Sequence, residues 1–175
     1  FISEPIESLV EEAKELGDVG ELILVAQDTT KYGKDIYGKP SLIRLIQALS
    51  KLENISSIRL LYCYPEEIDD ELIAAIRDEE KVVSYLDLPI QHASDPILKR
   101  MGRRTSNEDL RNIIDKLRTE IPDIALRTSL ITGFPGENSN SFIDLIRSLF
   151  PEMPISMVDS EGTVYNMNPS EKTTH

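Results

Sequence analysis

The stretch Glu21-Leu-Ile-Leu-Val-Ala-Gln27 is nearly continuous in Leu, Ile and Val and is bounded by polar residues. A strand without polar alternation is buried on both faces. Upstream, Ile6, Leu9, Val10, Ala13 and Leu16 recur at helical spacing, with Ser3 as expected N-cap, Glu4 and Glu7 in the first turn, and Gly17 as stop. Downstream, Leu42, Ile43, Leu45, Ile46 and Leu49 mark a second helix. The unit then repeats: residues 57–64, 82–88 and 125–132 read as three further strands. Between them, Pro65 and Glu66 are expected to open a helix carrying Ile68, Leu72, Ile73 and Ile76. Asp95-Pro96 supplies a cap and a first-turn proline for a short helix ending at Gly102. Thr105 and Glu108 form a capping-box pattern before Leu110, Ile113, Ile114 and Leu117. Phe142, Leu145, Ile146 and Leu149 mark a last helix. Helical crossovers make neighbouring strands parallel, so this is an α/β chain, either a partial (β/α) barrel or an open doubly wound sheet.

Composition bounds what the chain can do. Its 175 residues suit one domain with a substantial core. With 19 Lys+Arg against 31 Asp+Glu, the formal net charge is -12. That balance argues against broad nonspecific binding of nucleic acid or anionic membrane, while leaving room for a local basic patch. The longest nearly apolar run, residues 22–26, is far short of a membrane span, so a cytoplasmic location is expected. A single cysteine, Cys63, excludes an internal disulfide and any metal or cluster site built from several thiolates of this chain. The first helix has no strand before it and the sequence opens on Phe1, which suggests a fragment that lacks an upstream strand. After Phe150 the periodicity fades, so a core over 1–150 and an irregular tail over 151–175 are expected.

In both architectures ligands bind at the carboxyl ends of the strands. Polar and special residues concentrate there: Gln27, Asp28, Thr29 and Thr30 after the first strand; Tyr62, Cys63, Tyr64, Pro65 and Glu66 after the second; Gln91, His92, Ser94 and Asp95 after the third; Gly133, Phe134, Pro135, Gly136 and Glu137 after the fourth. Each has a plainer reading. Cys63 can be a small buried hydrophobe, His92 a structural hydrogen-bonding group, Asp28 a turn former, Glu66 a first-turn carboxylate and the Gly133 loop a tight turn. Lys99, Arg100, Arg103 and Arg104 form a basic cluster that is either a solvated face or a contact for a phosphate or acidic segment. Arg127 lies inside a strand run, where a charge needs a partner or a ligand, and guanidinium geometry suits a carboxylate.

Longer strings are more specific. Residues 21–33, 58–66, 88–104 and 127–137 each resemble, in order, the strand-two to strand-five segments of the radical S-adenosylmethionine methylthiotransferases, and the likeness covers about residues 1–150. Ala26-Gln-Asp-Thr-Thr30, Leu60-Leu-Tyr-Cys-Tyr-Pro-Glu66 and Gln91-His-Ala-Ser-Asp95 look like the branch that modifies an aspartate of small-subunit ribosomal protein twelve, rather than the branch that modifies tRNA adenosine. The resemblance implies a partial (β/α) barrel with strands two to five present and the first missing. It implies S-adenosylmethionine at the strand ends and a 4Fe-4S cluster whose ligands lie outside this chain. By position it places Gln27 and Asp28 near the methionine amino end, Arg127 at the methionine carboxylate, Gln91, His92 and Ser94 near the ribose, and Ile131 and Gly133 beside the adenine. It assigns no catalytic residue and no metal ligand here.

The implied partners are the ribosomal protein substrate, with tRNA as the alternative, and a protein reductant for the cluster, with no membrane. Three departures stand out: the family's CxxxCxxC motif and amino-terminal domain are absent, the carboxyl-terminal β domain is absent, and the segment after Phe150 does not resemble the expected sixth strand. The isolated piece is therefore expected to be inactive. A non-catalytic module that binds S-adenosylmethionine or a nucleotide is a competing reading. An aldolase-type barrel is disfavoured because Lys31 and Lys34 fall in a loop.

Overall fold

Residues 2–137, 155–158 and 164–167 are described by a computed structural model. The chain divides into two compact units, one of residues 1–91 and 108–130, the other of residues 92–107 and 131–175.

The first unit holds a parallel sheet in chain order: β1 (Leu22–Leu24), β2 (Ile58–Leu60), β3 (Val82–Asp87) and β4 (Ala125–Arg127). Helices α1 (Ile6–Glu15), α2 (Lys34–Tyr37), α3 (Leu42–Leu49) and α4 (Asp70–Asp78) alternate with the first three strands. Helix α6 (Asn107–Glu120) precedes β4. The apolar positions read as helical faces are the ones that pack. Leu42, Leu45, Ile46 and Leu49 of α3, Leu72, Ile73 and Ile76 of α4, and Leu110, Ile114 and Leu117 of α6 are buried. Ile58 and Leu60 of β2 and Leu86 of β3 are buried as well, each 0% exposed. Each such Leu or Ile contributes about 1.5–3 kcal/mol relative to exposure. Four parallel strands with helical crossovers form the α/β partial barrel expected from the sequence.

The strands are shorter than their apolar runs. The residues that follow the ladder turn out to build the carboxyl-end loops: the Thr29 amide donates to the Tyr62 carbonyl at 3.1 Å, drawing the chain away from a continued β1. Val25 is consequently 61% exposed.

In this unit two expected helix starts move. Pro5, not Ser3, stands at the cap position of α1. Ser3 instead ties the terminus to α2, its amide donating to Asp35 at 2.8 Å and its Oγ accepting from Gly33 at 3.1 Å. Pro65 opens only a 3-10 turn, Pro65–Glu67, and α4 begins five residues later. Asp69 is the stronger cap, because its carboxylate accepts the Leu72 amide at 2.8 Å and satisfies a first-turn donor.

In the second unit, Ser94 rather than Asp95 caps α5 (Asp95–Arg100). The Asp95 carboxylate accepts the Asn107 amide at 2.6 Å, so it secures the start of the next helix, two residues beyond Thr105. Gly102 ends α5 as expected, with φ +73. Within 151–175, β5 (Ile155–Val158) and β6 (Val164–Met167) pair antiparallel. The helix expected over residues 142–149 lies outside the described residues. No described helix is long and apolar enough to cross a membrane.

Candidate functional site

In the first unit the strand ends are tied to one another by polar groups. Asp87 closes β3 and is 1% exposed. Its Oδ1 accepts from Arg127 Nη1 at 3.1 Å, and its Oδ2 accepts the Tyr62 amide at 3.1 Å. The Asp87 carbonyl accepts the Cys63 amide at 2.9 Å. One residue of β3 therefore holds the ends of both neighbouring strands. Tyr62 carries φ +55, the left-handed region that bulky residues avoid, and its ring is on a residue 44% exposed. Gln91, which among the described residues shares such a non-glycine angle (φ +68), donates its amide to the Ser129 carbonyl at 2.9 Å. Gln27 is exposed in the loop after β1.

Asp28 is 3% exposed and its carboxylate is already engaged. Oδ1 accepts from the Thr30 hydroxyl, and Oδ2 accepts from Lys31 Nζ at 2.5 Å. Lys31 also approaches Glu67 Oε1 at 3.5 Å and lies 5.6 Å from the centre of the Tyr64 ring. The hydrogen bond with Asp28 is the main reason that the Lys31 pKa is held above its ordinary value. The plainer reading of Asp28, a loop former, is what the geometry shows.

Cys63 is 0% exposed. Burial, followed by the negative charges of Asp28 and Asp87, pushes its pKa up to about 12. A thiol so placed is neither a nucleophile nor a ready metal ligand. Among the described residues no three His, Cys, Asp or Glu side chains are grouped to hold a metal ion. The donors present do not fit a 4Fe-4S cluster, which takes several thiolates. S-adenosylmethionine fits better: Arg127 stands at a strand end with a side chain 56% exposed and offers guanidinium donors beyond the one given to Asp87.

In the second unit His92 is 0% exposed. Its Nδ1 accepts the Ser94 amide at 2.9 Å, so in the neutral ring the proton sits on Nε2, which lies 3.4 Å from Glu137 Oε1. The Glu137 Oε2 accepts the Phe134 amide at 3.0 Å and the Glu137 amide donates to the Phe134 carbonyl at 2.9 Å, closing the Gly133 turn. Ser94 is half-buried, Ile131 is 42% exposed and Gly133 is exposed with φ +74. Lys99 and Arg100 sit in the exposed last turn of α5, and Arg100 Nη1 donates to the Pro135 carbonyl at 2.9 Å.

Asp87 is not among the strand-end residues named from sequence, although a charge near the end of an apolar run needs a partner just as Arg127 does. Glu137 and Tyr62 are named there, but nothing in the sequence marks the left-handed φ of Tyr62.

Residues 1–149 match the radical SAM superfamily. The chain belongs to that superfamily. It is 65% identical over 139 residues to the ribosomal protein uS12 methylthiotransferase RimO of Lachnoclostridium phytofermentans, covering 78% of this chain and 32% of that protein. It is 52% identical over 180 residues to the RimO of Acetivibrio thermocellus, covering 98% of this chain and 40% of that protein. The second alignment thus runs on into the segment after Phe150. The RimO of Clostridium perfringens is 56% identical over 147 residues, covering 83% of this chain and 33% of that protein. The chain spans only about a third to two fifths of the length of these relatives. Among solved structures, an amino-terminally deleted Elp3 of Methanocaldococcus infernus matches with a TM-score of 0.50 at 16% identity, over 84% of this chain and 37% of that one, which supports the fold. The resemblance to the ribosomal-protein branch is therefore borne out, and the superfamily implies S-adenosylmethionine and a 4Fe-4S cluster as its general cofactors.

Proposed function

We propose that this chain is the catalytic-core portion of a RimO-type methylthiotransferase. The complete protein would add a methylthio group to an aspartate of the small-subunit ribosomal protein uS12. The observation that carries this reading is the 65% identity over 139 residues to a uS12 methylthiotransferase. Residues 1–150 form the core in this reading and 151–175 a distinct tail. S-adenosylmethionine would supply, when bound, the radical that takes a hydrogen atom from the aspartate β-carbon.

This chain's own part is to bind and orient. Arg127 would hold the methionine carboxylate, with Gln27 near the amino end. Asp28 would stand beside Gln27 near that amino end, its carboxylate steadied by Thr30 and Lys31. By position in the sequence Gln91, His92 and Ser94 would be the ribose candidates, with the buried His92 ring fixing the Ser94 backbone. Ile131 and Gly133 would flank the adenine. The cluster thiolates and a protein reductant would come from outside this chain, and the reaction would take place in the cytoplasm.

The test is mass spectrometry of uS12 from cells with and without the complete gene. The methylthio mass increment on the target aspartate is expected only with it. An unmodified uS12 accompanied by methylthiolated tRNA would assign the protein to the tRNA branch.

A further inference from the structure

Asp87 is a buried carboxylate whose two oxygens serve two different strands. One oxygen orients the exposed Arg127 guanidinium, the other holds the amide of left-handed Tyr62, both at 3.1 Å. The Tyr62 carbonyl is held as well, accepting the Thr29 amide at 3.1 Å. A left-handed aromatic residue is a strained choice and persists only where the surroundings fix it. Here burial of the ring does not compensate for that strain, since Tyr62 is 44% exposed. A purely structural account would put glycine at this φ and a buried side chain on Asp87. What stands there instead is a cation and the backbone of an aromatic residue, both fixed by one carboxylate at the ligand-binding end of a parallel sheet.

We propose that Asp87 is a positioning residue, which aims Arg127 and fixes Tyr62 so that together they receive the carboxylate-bearing methionine end of S-adenosylmethionine. This rests on the reading of the chain as a methylthiotransferase core. Arg127 contributes the bidentate charge, Tyr62 the wall beside it, and Asp87 touches neither ligand nor reacting atoms. Without Asp87 the guanidinium would swing free on its stem, and the Tyr62 amide would be left without its acceptor.

The test uses the complete protein and calorimetry with two ligands: S-adenosylmethionine, and 5′-methylthioadenosine, which lacks the amino-acid end. Asp87→Asn is expected to weaken S-adenosylmethionine about tenfold and to leave 5′-methylthioadenosine within twofold. Tyr62→Gly relieves the left-handed angle, so it is expected to keep or raise the melting temperature while weakening S-adenosylmethionine severalfold. Equal loss of both ligands in Asp87→Asn would make Asp87 merely structural and overturn the proposal. If that variant fails to fold, unchanged S-adenosylmethionine affinity in Tyr62→Gly overturns it as well. Should the unsubstituted protein bind no S-adenosylmethionine, the functional reading itself falls and takes this proposal with it. Binding that is intact in all variants removes only the proposal.

Discussion

Lys31 Nζ lies 2.5 Å from Asp28 Oδ2, three residues back along the same loop, with the carboxylate 2% exposed and the lysine side chain 29%. The pair is asymmetric: removing the lysine leaves a buried charge, whereas removing the carboxylate leaves a cation that still has Glu67 and some solvent. Lys31→Met is therefore expected to destabilise the chain by about 2–3 kcal/mol, and Asp28→Asn by about 1 kcal/mol. The double variant should cost less than the two single losses added together, with a coupling of about 1 kcal/mol or more. Urea unfolding of the four proteins measures this. Strict additivity would show that the pair does not hold the loop.

The alternation of apolar runs and helical faces was enough to read four parallel strands from sequence, because burial on both faces leaves so plain a pattern. The ends of the elements were less legible. Ser3, Pro65 and Asp95 all look like helix starts locally, yet Ser3 bonds to Asp35 and Gly33, and Asp95 to Asn107, partners 12 to 32 residues away. Local chemistry cannot rank a cap against a tertiary hydrogen bond. The site divides in the same way. Arg127 was found because a charge in a strand run demands a partner, and the same argument applied to Asp87 would have supplied that partner. The bonds that Asp28 receives from Thr30 and Lys31 within its own loop are closer to the turn-former reading that its sequence also allows.

Cys63 should be chemically silent in the folded chain. Its thiol is buried and its pKa stands near 12, against an ordinary 9.0. At pH 8 iodoacetamide labelling is expected only at the rate of unfolding, and labelling of the native chain within minutes would contradict the burial. The same shift gives a pH dependence. A raised pKa means that the folded state holds its proton more tightly, so the stabilisation is complete below about pH 9 and is lost as pH rises toward 12. Lys31, also shifted upward, and Tyr32, raised by burial to about 12, act in the same direction. Stability should fall between pH 9 and 11, and less steeply in Cys63→Ala.

Gly33 has no room for a Cβ. It has φ +79, and an added Cβ would lie 2.8 Å from Tyr37 Cδ2 and 2.9 Å from Ser41 Cβ. The Tyr37 ring cannot simply retreat, because its hydroxyl accepts the Ile6 amide at 2.9 Å and joins α1 to this turn. Gly33→Ala is expected to cost about 2 kcal/mol or more, combining backbone strain with the clash. Thermal unfolding checks this. Gly38→Ala is the control, with a similar φ of +72 but open space around it, so it isolates the backbone contribution. Equal losses in the two variants would show that the Tyr37 and Ser41 contacts carry no weight.

Strand β1 pairs only with β2 among the described residues, leaving its outer edge without a strand partner. Beside that edge lies a cavity of about 340 Å³ lined by Leu9, Ala13, Leu16, Ile23, Leu24 and Leu45. Leu16 is 56% exposed, Ile23 46% and Val25 61%. Open backbone donors and acceptors next to exposed β-branched side chains form a template for pairing with another chain. Ile23 lies in β1 and Val25 directly follows its last residue, so both exposed side chains stand beside that edge. In isolation the chain is expected to self-associate with rising concentration, despite its charge of -12. Replacing both residues by lysine places two cations beside that edge, which would have to be desolvated for a second strand to dock. Sedimentation velocity over a concentration series should then show the I23K/V25K chain remaining monomeric where the parent associates. The core is spared, because neither side chain is buried, so circular dichroism of the two proteins should coincide. Indistinguishable concentration dependence would mean that association, if it occurs, uses another surface.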